Sequence, residues 1–351
     1  MSELPMPPLS PLGPLTPLSP ADVRARRRPL AVLFVFAAQL AWALLVATPT
    51  HAWARRVWGA HPDGDGVLFV PGGRQLLVWL GQDDAGLPVT VRTTMVLLVV
   101  GAVLMQLPLG ALLASLAFSR EAAAGAEAGA SVRPRAGAPR MMAAVRVGVG
   151  AFMPLCGVLA LGTVAAIVVV ALGAIVASAI DHGLADRLGD ARAFTLRLVI
   201  LAFFLAIAAV IGVIVDLARA AIGREAGIAA ARGTSSPGWS VMLRGVRTAL
   251  SVARRGLRRA TLAWAWRAAI GVALIGAGYG AAQLLGGRGG STLTVLFIVH
   301  QMVVLGRTAL RASWLAHAIA LIAPVQDARE NVKPKADVPT VLSGADDGAA
   351  P

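Results

Sequence analysis

The chain has little of what a soluble surface, a redox centre or a nucleotide site is made from. Charged residues account for 14% of its 351 positions, against about 25% in an ordinary globular domain, so a water-facing surface of normal polarity cannot be assembled. Cysteine occurs once, as Cys156 inside an apolar run, which excludes a disulfide framework and a cysteine zinc site. It reads as a small buried hydrophobe. Lysine occurs only at Lys333 and Lys335, near the C-terminus, so no Gly-Lys-Ser/Thr phosphate loop exists. HExxH, GxSxG and paired CxxC patterns are also missing. The expectation is therefore no enzyme, no cofactor and no catalytic or metal residues.

What fills the chain instead is apolar: 57% of residues are hydrophobic and the mean hydropathy is +0.73. The net charge of +14 is carried almost wholly by arginine. These arginines lie between apolar runs, which argues against a nucleic-acid surface; they read as topology signals and contacts for anionic lipid headgroups. The expected class is all-α, a polytopic transmembrane helical bundle of about six spans in a bacterial cytoplasmic (inner) membrane.

Along the chain, residues 1–29 form a proline-rich cytoplasmic tail. Pro8, Pro11, Pro14, Pro17 and Pro20 recur at the three-residue period of polyproline II, so an extended, non-globular segment is expected. Spans follow at about 30–48, 93–118, 155–178, 194–215, 261–285 and 291–316 within a transmembrane domain 30–323, and 324–351 reads as a disordered tail. The first span could instead be a signal peptide cut near Ala52 and Ala54, although its apolar run exceeds the usual length. The loop 49–92 carries an apolar patch from Val67 to Leu80, too short to cross. A kink is expected at Pro108. Pro154 is expected to separate an interfacial lead-in from the third crossing, and the stretch Ser291 to Ala323 either tilts or breaks near Gly306.

Orientation follows from the connections. Lysine and arginine number four, five and nine in the N-tail, 120–146 and 217–260, but four, three and one on the opposite side. The positive-inside rule then puts both termini in the cytoplasm and loop 49–92 outside. Only Arg55 and Arg56 run against this bias.

Two constellations stand out. In 237–259, Ser236 and Pro237 form a helix start, Trp239, Leu243, Val246, Leu250, Ala253 and Leu257 share one face, and Arg244, Arg247, Arg254, Arg255, Arg258 and Arg259 share another. Such a basic amphipathic helix either packs on the bundle as a topology-fixing loop or offers anionic lipids or a partner a binding surface. In the last span His300, Arg307, Arg311 and Trp314 fall within about 60° on a helical wheel, a polar stripe that could join Gln39, Gln106, Tyr279, Gln283 and Gln301 in a pathway. The competing reading has the arginines snorkelling and the glutamines bonding between helices. Asp216 and Arg219 stand one turn apart, a spacing that permits pairing. Gly276 and Gly280 suit close helix approach, including in a homo-oligomer. His182, Asp186 and Asp190 have a helical spacing that metal ligands could use, but without a fourth ligand they read as a solvated turn.

From Asp216-Leu217-Ala218-Arg219 through the basic helix, and again from Gln301 to Arg311, the chain resembles uncharacterised bacterial six-span membrane proteins. It is also distantly similar in layout to the membrane domain of glycerophosphodiester phosphodiesterases. That enzyme family's acidic metal-binding catalytic domain has no counterpart here, so the resemblance implies a membrane architecture and no hydrolysis. Glu225-Ala226-Gly227 with Gly233 resembles the Glu-Ala-Ala loop of ABC-importer permeases, which docks a nucleotide-binding subunit, although the glycine follows at eight residues rather than six. Two classes remain: a non-catalytic protein that organises, senses or binds lipid or an envelope partner, and a transporter or permease component.

Overall fold

The computed structural model describes residues 15–17, 23–58, 86–120, 141–231, 238–285 and 291–332. Seven helices build it: α1 Pro29–Trp58, α2 Gly86–Leu104, α3 Gln106–Ala117, α4 Met141–Leu188, α5 Asp190–Ala231, α6 Trp239–Leu285 and α7 Ser291–Val332. Six helical segments, with α2 and α3 counted as one, are long and apolar enough to cross a membrane. The chain is thus an all-α, multi-pass membrane protein. In the most apolar windows of α5 and α6 only 6% of residues are inside the protein. Apolar surface left so open needs lipid as its solvent.

Helix length gives the first correction to the sequence reading. At about 1.5 Å per residue, the 48 residues of α4 and the 42 of α5 and α7 run to roughly 60–70 Å, twice a hydrocarbon core of about 30 Å. The excess collects at one end, where the start of α1, the end of α3, the start of α4, the end of α5 and the end of α7 meet. We call it the basal end. Leu109 to Phe118, Ala143 to Val158, Val213 to Ala226 and Ala312 to Ala323 supply most of the core there. Toward the far end Leu161, Val164, Ile167, Ile175, Phe203 and Leu205 are exposed.

The prolines differ in effect. The break in the second span falls at Met105, one turn before Pro108, because the ring removes the N–H that Leu104 would accept and crowds the preceding turn. By contrast α4 runs unbroken through Pro154, and α7 through Gly306 and Pro324. No interfacial lead-in forms before Pro154. Ala143, Ala144, Val147 and Ala151 are buried in the base, and packing holds that segment helical. Gly110 and Gly148 let α3 and α4 touch backbone to backbone: a Cβ on Gly148 would lie 2.8 Å from the Ala111 nitrogen.

The N-terminal segment is docked rather than free where it is described. Strand β1 (Leu15–Pro17) pairs antiparallel with β2 (Phe118–Arg120) just beyond α3. Arg28 is buried and donates to the Phe118 carbonyl at 3.1 Å, at the negative end of α3's dipole. Burial, with Arg27 alongside, holds its guanidinium below the ordinary value.

At the far end α4 turns into α5 through Gly189 alone, whose φ of 73° is the left-handed conformation that closes a helix. This break falls between Asp186 and Asp190, so the three acidic and histidine positions do not share one helix; their side chains lie outside the described residues. Also outside are the patch Val67 to Leu80, the cap Ser236-Pro237, Gly233, the turn 286–290 and residues 333–351.

Candidate functional site

The basic amphipathic helix is the first 18 residues or so of α6, which then bends at Gly256 into the fifth span. Gly256 has an extended φ of −162° and its Cβ position is open, so the bend needs no compensating contact. Before the bend the helix meets three others in turn. Trp239 and Met242 lie against Gly157 of α4, and Gly245 lies against Ala218 and Ile222 of α5. Arg244 pairs with Glu225 of α5 at 2.6 Å, and Val252 and Arg255 share a groove with Leu321 and Val325 of α7. It thus meets α4, α5 and α7 in turn along its length, which makes it a transverse helix at the base.

At 100° per residue this transverse helix divides into three sectors about 120° apart. Val241, Met242, Gly245, Ala249 and Val252 form the buried sector. This refines the two-faced sequence reading: Val241, Met242, Gly245, Ala249 and Val252 face the protein, with Ala253 of the expected apolar face also buried and Val246 packed against the core. Trp239, Leu243, Leu250 and Leu257 are exposed, Trp239 by 65%. The third sector holds Arg244, Arg247, Arg254 and Arg255, and Arg258 and Arg259 follow just past the bend. Arg247, Arg254, Arg255, Arg258 and Arg259 are exposed and have no ion-pair partner among the described residues, while Arg244 keeps its bond to Glu225.

A second polar feature lies one layer deeper, around Asp216 of α5. Its Oδ1 accepts from Arg219 at 2.9 Å and faces Arg311 of α7 at 3.6 Å, while Oδ2 accepts the Trp314 indole N–H at 3.1 Å. Asp216, Arg219 and Trp314 are all buried. The pairing permitted by the spacing of Asp216 and Arg219 is therefore made, but inside the protein and tied to α7. Beside it opens a cavity of about 410 Å³, walled by α1, α5, α6 and α7, in which Gln39, Asp216, Arg267, Arg307, Arg311 and Trp314 supply the polar lining. Arg267 of α6 donates to Ser313 at 3.2 Å and to the Ala263 carbonyl, and its guanidinium sits 4.7 Å from the Trp266 ring. Thr308 lies 2.8 Å from Gln39 Oε1, joining α7 to α1.

The structure therefore brings three of the four stripe residues together: Arg307, Arg311 and Trp314 line one cavity. His300 does not join them. It lies on the same face two turns farther from the base, exposed beside Gly278, and the lining stops at Val304. Gln39 joins the cavity lining, but Gln106 donates across the break to the Ala102 carbonyl of α2, and Tyr279 points outward with 66% of its surface open. A Cβ at Gly276 or Gly280 would meet nothing within 4 Å among the described residues. Arg267 is the residue that sequence reasoning passed over, although a lone cation six positions into the fifth span was a visible signal.

One further ion pair fastens the base. The buried Arg224 donates to Asp327 at 2.6 Å and to Gln326 at 3.1 Å, and Gln326 donates in turn to the Ala221 carbonyl. Gly227 is buried against Phe118, where a Cβ would stand 1.9 Å from the ring. Among the described residues no group of three or more metal-ligating side chains comes together. Comparison with protein-family models, with curated proteins and with solved structures gives no match for this chain.

Proposed function

We propose that this protein is a non-catalytic component of a bacterial cytoplasmic membrane that binds and locally organises anionic lipid, with its base and both termini on the cytoplasmic side. The observation that carries the reading is the three-sector transverse helix. One sector holds it to the protein. The second offers Trp239, Leu243 and Leu250 to the acyl region, and the third, continued past the bend by Arg258 and Arg259, presents five arginines that have no ion-pair partner among the described residues. Each arginine near an anionic surface contributes about 1 kcal/mol, so the row is sufficient to enrich acidic lipid in its neighbourhood. The charge distribution supports the same orientation, since the arginine-rich connections lie at the basal end.

The permease alternative has less to support it. A segment that docks a nucleotide-binding subunit needs free surface, yet Glu225 is bonded to Arg244, and Ala226 and Gly227 are buried. A transport pathway would call on His300, which lies outside the cavity.

The test is lipid enrichment around the intact chain in nanodiscs of mixed phosphatidylglycerol and phosphatidylcholine, read with a spin-labelled lipid of each type. The native chain should select phosphatidylglycerol. The combined substitution Arg247→Gln, Arg254→Gln, Arg258→Gln should lower that selectivity several-fold and leave the melting temperature unchanged. Equal selectivity in both proteins would remove the basis for the proposal.

A further inference from the structure

The charge inventory around Asp216 is unbalanced. Arg219, Arg267, Arg307 and Arg311 surround one carboxylate, an excess of three positive charges. Asp216 is fully occupied by Arg219, Arg311 and Trp314. Arg307 has no partner among the described residues, and Arg267 is held only by neutral groups. Guanidiniums gathered round one carboxylate repel one another, and a bound anion between them relieves that repulsion. An open cavity of about 410 Å³ lies where that charge would sit.

Depth narrows the ligand's chemistry. Counted along α7 from Ser291, Arg307 lies about 24 Å and Arg311 about 30 Å from the far end. Counted along α6 from Leu285, Arg267 lies about 27 Å away. With a hydrocarbon core of about 30 Å, all three stand at the boundary where the phosphates of one leaflet lie. Above them Gly271, Val272 and Ile275 of α6 continue the cavity wall as an apolar groove toward the far end. The cavity is thus basic at the phosphate level and apolar where an acyl chain runs.

We propose that this cavity is a binding site for one phosphate-bearing anion, whose phosphate is held by Arg267 and Arg307 with Arg311 in support. Asp216 is the positioning residue: by holding Arg219 and Arg311 it sets the cationic wall. The site is separate from the transverse helix, and its success or failure is independent of the lipid selectivity proposed for that helix.

The experiment is native mass spectrometry of the full chain released from detergent after addition of phosphatidylglycerol, phosphatidylcholine or inorganic phosphate. One phosphatidylglycerol per chain should survive at collision energies that strip phosphatidylcholine. Arg307→Gln and Arg267→Gln should each cut its occupancy by at least five-fold, with Arg307→Lys restoring part of it, while Arg56→Gln, on the exposed far end of α1, leaves it unchanged. Arg307 is suited to the test because its loss breaks no bond among the described residues, and an unchanged melting temperature confirms the fold. If millimolar inorganic phosphate is retained instead and is lost in the same variants, the site is assigned to a free anion. Equal retention of phosphatidylcholine, or occupancy indifferent to Arg307→Gln and Arg267→Gln, overturns the proposal.

Discussion

Helices α2 and α3 are two halves of one apolar segment separated by a single residue, yet they live in different solvents. Along its 19 residues α2 buries only Thr90 and Gly101, whereas α3 buries eleven of its twelve. Their compositions are similar, so apolarity by itself does not decide which becomes lipid-facing and which becomes core. The difference lies in what surrounds them. Around α3 the basal parts of α4 and α5 close in through glycine contacts and the core is fastened by ion pairs. Around α2 the described contacts are chiefly with α1, where Trp42 donates to the Leu97 carbonyl at 3.2 Å.

If the base is a protein core and the far half is solvated by lipid, the largest contrast should appear at the buried ionic centre. Asp216→Ala leaves Arg219 buried without its partner and frees the Trp314 N–H, a loss of about 3–5 kcal/mol for one half of a buried pair. Its mate for comparison is Val168→Ala on the lipid-facing part of α4, 51% exposed, which should change stability by no more than about 0.5 kcal/mol. Chemical unfolding in a single detergent measures both. Comparable losses at the two sites would erase the distinction between the halves.

Glycine substitutions should sharpen the contrast by changing sign. A Cβ at Gly148 meets backbone atoms that cannot turn aside, so Gly148→Ala should cost about 1–3 kcal/mol. At Gly276 nothing lies within reach, and the same substitution should stabilise α6 by up to about 1 kcal/mol through helix propensity alone. The second result also bears on assembly. Destabilisation by Gly276→Ala, with a shift in particle mass, would show a second chain packed on the Gly276 and Gly280 face.

How far this division could be seen in the sequence depends on the residue. The six crossings and their apolar runs were legible because a bilayer imposes length and hydropathy directly. The basal extensions were not, since Ala143 to Ala151 and Ala220 to Ala226 are alanine-rich segments whose burial depends on partners from elsewhere in the chain. Pro154 and Pro324 misled for the same reason: packing overrides a lost hydrogen bond that sequence alone counts in full. The arginine row of α6 was legible from its period, but its packed sector was hidden, because glycine and alanine at 245 and 249 signal contact only once a neighbour is known. Asp216 was read as a local pair with Arg219; its bond to Trp314, 98 residues away, has no trace in spacing.

A smaller effect is expected where a buried cation meets a half-open carboxylate. Arg224 is 4% exposed, but the side chain of its partner Asp327 is 50% exposed and can return to water. Arg224→Gln should therefore cost roughly 1–2 kcal/mol, below the Asp216 loss, even though its bond is the shorter of the two. A loss equal to that of Asp216→Ala would mean that distance rather than burial sets the energetics of the base.

The smallest effect should come from the most conspicuous pair, Arg244 with Glu225, at 2.6 Å between α6 and α5. Half of the Arg244 side chain is open, so most of the attraction is offset by the hydration it replaces, and Arg244→Gln should lower stability by less than about 1 kcal/mol. That remainder should shrink further in 0.5 M salt, where charges this exposed are screened, while the Asp216 loss should hardly change. The two salt responses, measured side by side in one detergent, separate the parts of the base that behave as protein interior from the arginine surface that faces the headgroups. A salt-insensitive Arg244 would place the transverse helix deeper in the protein than its exposed tryptophan and leucines allow.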